Sequence, residues 1–153
     1  MISAVCSKDT ISINGRQLNN WADGDVAKLD IPEVLANMTT GKSQNTIYAY
    51  SYKGKNGKLE IRLIAGSPDD QFLNGLLQQF NQNPAAFSLM SMEFDKNIGD
   101  GASPVANITT IVYQGTGGVF EKQPMVMENA SGETTQAVVI WNLIFANVDR
   151  SIV

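Results

Sequence analysis

Only one stretch, residues 66–84 (GSPDDQFLNGLLQQFNQNP), carries the signals of an α-helix; the rest of the chain alternates polar and apolar side chains or turns. That imbalance restricts the fold severely, because one helix among many period-two segments must lie against a sheet. Ser67 is placed to cap the first turn, Pro68 falls at the first helical position, and Asp70 stands where a capping-box residue reaches back. Phe72, Leu73, Leu76, Leu77 and Phe80 then share one stripe, with Gln71, Asn74, Gln78 and Gln79 opposite. The pattern predicts a helix packed on a core through residues such as Leu76 and Leu77. Asp69 and Asp70 sit at the positive end of its dipole, which gives them a structural reading before a chemical one.

Around this helix the chain predicts about eight strands in one domain spanning residues 1–153, a β-barrel or sandwich of antiparallel strands with one packed helix. Residues 10–13 and 17–18 flank Asn14-Gly15, a pair suited to a tight hairpin. Along 26–31, Ala27, Leu29 and Ile31 alternate with Val26, Lys28 and Asp30; along 58–64, Leu59, Ile61 and Leu63 alternate with Lys58, Glu60 and Arg62. Between them, residues 37–45 show no period and predict a long exposed loop, 46–52 place Tyr48, Tyr50 and Tyr52 on one face, and 53–57 contain a second Asn-Gly turn. After the helix, 87–94 is apolar on both faces and predicts a more buried strand. Residues 95–104 and the GTGG at 115–118 predict a loop and a hairpin turn, with Pro124 marking an edge or bulge in the strand that follows. Residues 136–148 are continuously apolar and β-branched, which predicts a central strand.

Chemistry is mostly excluded. The chain has no histidine, so the commonest general base and metal ligand are missing. The single cysteine, Cys6, has no imidazole to activate it and no second thiol for an internal disulfide. Asp23-Gly24-Asp25 lacks the downstream ligands of a calcium loop, and GTGG precedes no helix that would hold a phosphate; each is read as a turn. No catalytic, cofactor-binding or metal-binding residue is assigned, and no enzyme activity or cofactor is expected. A net charge of −4 argues against a protein that grips DNA by neutralising phosphates. The start of the chain carries no secretion signal and the longest apolar run is too short to span a membrane as a helix, so a soluble, intracellular product is expected and the sequons at Asn37, Asn107 and Asn129 carry no meaning.

The order of the pieces carries a resemblance. A short hairpin with Gly15, WADGD at 21–25, a long loop, a charged hairpin and SPDDQFLNGL at 67–76 together resemble the tail tube proteins of contractile-tailed bacteriophages, a family related in fold to type VI secretion tube proteins. The likeness covers most of residues 10–94 and extends weakly to the C-terminus; Trp21 replaces a more usual Phe, and 95–104 has the look of an added loop. The resemblance implies a structural protein of the virion whose hexameric rings stack into a tube inside the sheath. The rings are assembled in the bacterial host cytoplasm and work with baseplate and tail terminator proteins, and viral DNA passes through the lumen without sequence-specific binding. It also implies that Lys28, Asp30, Lys58, Glu60 and Arg62 line that lumen and that Thr39, Thr40, Gly41 and Lys42 contact the next ring. The other class is a receptor- or sugar-binding β-sandwich using the tyrosine row, and a secretion-system tube is a further alternative; an enzyme using Asp69 or Asp70 is the weakest reading.

Overall fold

The structure, a computed structural model, describes residues 1–5, 9–51 and 55–153. Cys6 and Tyr52, and part of the turn expected at 53–57, lie outside the described residues. In chain order the elements are β1 (Ala4–Val5), β2 (Thr10–Ile13), β3 (Arg16–Gln17), β4 (Ala27–Asp30), β5 (Ala36–Thr40), β6 (Thr46–Tyr50), β7 (Gly57–Ile64), α1 (Pro68–Gln82), β8 (Met90–Gly99), β9 (Ile108–Val126) and β10 (Val138–Ile152). An antiparallel sheet runs β3-β2-β8-β9-β10-β7-β4, with β1 beside β8, while β5 and β6 pair only with each other.

The large sheet closes through the chain that follows β3. Leu18 N–H donates to Ile11 O in β2, and two positions on Ile64 N–H donates to Asn20 O, followed by Ala22 N–H to Arg62 O, so one segment bonds to β2 at one end and to β7 at the other. The enclosed space is filled by Ile13, Leu59, Ile61, Leu63, Met92, Phe120, Trp141, Leu143 and Phe145, all buried. The alternation in β4 and β7 is therefore real: Leu59, Ile61 and Leu63 point inward with Ala27 and Leu29 packed beside them, and Lys28, Asp30 and Lys58 are wet. Asn14 and Gly15 both have positive φ (52° and 80°), the geometry of the expected tight hairpin.

Helix α1 covers the core. Ser67 Oγ accepts from Asp70 N–H at 3.3 Å, as the cap predicts, whereas the Asp70 carboxylate reaches one residue further back than a capping box, to Gly66 N–H at 2.9 Å. Leu73 and Leu77 are buried, and Leu76 is only half-buried at the border of the stripe. Burying a leucine contributes roughly 1.5–3 kcal/mol. Phe80 meets Phe87 edge-on with ring centroids 5.4 Å apart, and Phe120 links this cluster to Trp141 at 5.5 Å.

Several expectations need correction. Residues 37–45 are not a loop: β5 and β6 form a hairpin, with a turn at 41–45 closed by Gly41 N–H to Asn45 O at 2.9 Å. β6 therefore does not pair with β7, whose neighbours are β10 and β4. Residues 95–99 continue β8, leaving the loop at 100–107. Residues 87–94 are not buried on both faces, because Met90 and Met92 point inward while Ser91 and Glu93 are exposed. The central strand starts at Val138, after a 3₁₀ turn at Thr134–Ala137, and runs to Ile152. GTGG is not a hairpin turn but the middle of the 19-residue β9. A Cβ on Gly118 would lie 2.5 Å from Phe145 Cε1, and one on Gly115 would lie 3.0 Å from Met92 Cε, so these glycines are there to admit the core side chains. Pro124 does sit at a bulge: register slips between Ile140 and Asn142, where β9 carries extra residues.

Candidate assembly surfaces

The chain's carboxylates at the helix start are fully engaged in holding the fold. Asp69, 2% exposed, accepts from the backbone N–H groups of Asn19 and Asn20 and from Arg16 at 3.3 Å, tying α1 to the segment that closes the sheet. Asp70 accepts from Trp141 Nε1 at 2.9 Å, tying it to the central strand. The dipole reading from sequence foresaw a structural role, but it missed both long-range tethers, since nothing local to α1 signals Asn19, Asn20 or Trp141.

The five charged positions expected to act together are brought together. On the outward face of β4 and β7, Lys28 stands opposite Glu60 and Asp30 opposite Lys58. Each such cross-strand pair contributes roughly 0.2–1 kcal/mol. Arg62 donates to Asp23 O at 3.2 Å and meets its carboxylate at 3.5 Å, holding the 23–25 turn against the sheet, and Lys28 approaches Asp25 at 3.8 Å. The structure adds Glu121, 3.5 Å from Lys58, and Asn142, which help line a 260 Å³ recess on this face. Glu121 escaped sequence reasoning because its place beside Lys58 depends on the pairing of β10 with both β7 and β9, which no local pattern encodes. The resulting surface interleaves cations with a slight excess of carboxylates.

The second surface is the β5–β6 hairpin. All of its residues are exposed, Thr39 and Thr40 within β5, Gly41 and Lys42 at the tip. Yet its composition is not that of a solvated arm: Met38 lies opposite Tyr48, and Tyr50 opposite Ala36, giving one aromatic and apolar face that is open to water. Tyr48 and Tyr50 do share a face as expected, and both stand largely in water, 58% and 78% exposed. A third surface lies where β8, β9 and β10 run on past the core and end among exposed Val5, Ile108 and Ile152. A recess of about 420 Å³ at the root of the hairpin, lined by Pro32, Gly57, Val119, Ile144 and Ala146, adds further apolar surface.

The total confirms the impression. The chain exposes 10036 Å². A compact monomer of 16.6 kDa is expected to expose about 7,600 Å². The exposed surface thus exceeds that of a compact monomer by roughly 2,400 Å².

No protein-family model matches the chain, and no curated protein matches it. Solved structures do. A chain of the sheath–tube complex of an extracellular contractile injection system, PVC, in its extended state, superposes with a TM-score of 0.57 at 9% identity over 95% of this chain and 88% of that one. The anti-feeding prophage cap, a tube-terminating cap, gives 0.56 at 9% identity over 95% and 89%. At such low identity the likeness concerns the backbone, and it spans nearly the whole of each chain. The protein thus has the mainly β, tube-like fold of these components of contractile injection particles.

Proposed function

We propose that this chain is the subunit of the inner tube of a contractile injection particle, acting structurally and without catalysis. The observation that carries this reading is the superposition over 95% of the chain on components of a sheath–tube complex and a tube cap. The excess of exposed, partly apolar surface supports it, because a subunit that works only within an assembly keeps its interfaces open when alone. In the finer form of the proposal, six subunits form each ring and rings stack within a sheath, between a baseplate and a terminator. In a phage particle the tube is the conduit for DNA, and the particle is assembled in the bacterial cytoplasm. The mixed-sign face carrying Lys28, Asp30, Lys58, Glu60 and Arg62 then suits the lumen, since a purely basic lining would hold a polyanion through counterion release. Thr39, Thr40, Gly41 and Lys42 at the hairpin end then contact the next ring.

Negative-stain electron microscopy of the purified chain is the test: rings or tubes are expected, and a monodisperse monomer at high concentration contradicts the proposal. The second reading, a binding module using Tyr48 and Tyr50, draws on their exposure on one strand face. It predicts that monomer, together with a ligand affinity lost in Tyr50→Ala. The absence of catalysis is tested separately, by screening for hydrolase or transferase turnover that disappears in Asp69→Ala or Asp70→Ala; finding one overturns it.

A further inference from the structure

We draw no further inference here: the strongest candidate, the apolar recess of about 420 Å³ at the root of the β5–β6 hairpin, lined by Pro32, Val119, Ile144 and Ala146, carries nothing because nothing in the structure shows what covers it.

Discussion

The barrel and the β5–β6 hairpin share the same alternating chemistry, yet β7 buries Leu59, Ile61 and Leu63 completely while β5 and β6 leave Met38, Ile47 and Tyr50 in water. What separates them is a covering layer. β7 has β4 and β10 beside it and α1 with its leucines against the core; the hairpin pairs with no other strand among the described residues. Alternation therefore marks a surface to be covered without saying whether the cover comes from the same chain. Under the proposed assembly, the cover for the hairpin comes from another copy.

If that contrast is right, the largest losses of subunit stability come from the barrel. Leu77→Ala, at a fully packed position, should cost about 2–5 kcal/mol in denaturant unfolding of the unassembled subunit. Leu76→Ala should cost less, as that side chain is half-exposed. Equal costs would mean that α1 sits differently on the core. Asp69→Ala should follow, at about 1–3 kcal/mol, because it strands the amides of Asn19 and Asn20 where the sheet closes. Gly118→Ala should cost about 1–3 kcal/mol, since its Cβ would overlap the ring of Phe145; a neutral result would restore the reading of GTGG as a flexible turn.

These residues also show how far the sequence can be read. The single helix, its cap at Ser67, the Asn14-Gly15 hairpin and the faces of β4 and β7 were legible because each is a local pattern set by one or two neighbours. GTGG was misread because a glycine that makes room for Phe145 has the same letter as a glycine that turns the chain. The hairpin was taken for a loop because Thr39 and Thr40 provide no burial signal when nothing in the chain covers them. Among the candidate surface residues, Lys28, Asp30, Lys58, Glu60 and Arg62 followed from the pleat alone. Glu121 needed the register of β9 and β10, which no local pattern encodes.

On the hairpin the expectation reverses. Deleting Thr39, Thr40, Gly41 and Lys42 should change subunit stability by no more than about 0.5 kcal/mol, as expected of exposed positions away from the core, while abolishing polymerisation. Normal tubes from that deletion would show that the hairpin end is dispensable. The smallest effect is expected at the loop after β8. There Asp100 accepts hydrogen bonds from the Ala102 amide, the Asn107 side chain and the Asn107 amide, which together hold its pKa below the ordinary 3.8. A depressed folded-state pKa stabilises the loop above the unfolded value, and that support fades as pH falls through the lower folded one. Chemical shifts of the Asn107 amide should therefore titrate with a midpoint below the ordinary 3.8, and in Asp100→Asn that titration should vanish.

Amide hydrogen exchange, compared between dilute subunits and assembled material, tests the contrast most directly. The account predicts that amides of β7 and of the paired part of β10 are protected in both states, and that those of β5 and β6 exchange freely in the dilute subunit and become protected on assembly. Protection of the hairpin in the dilute monomer, or its free exchange within assembled particles, would contradict the claim that a second copy covers it.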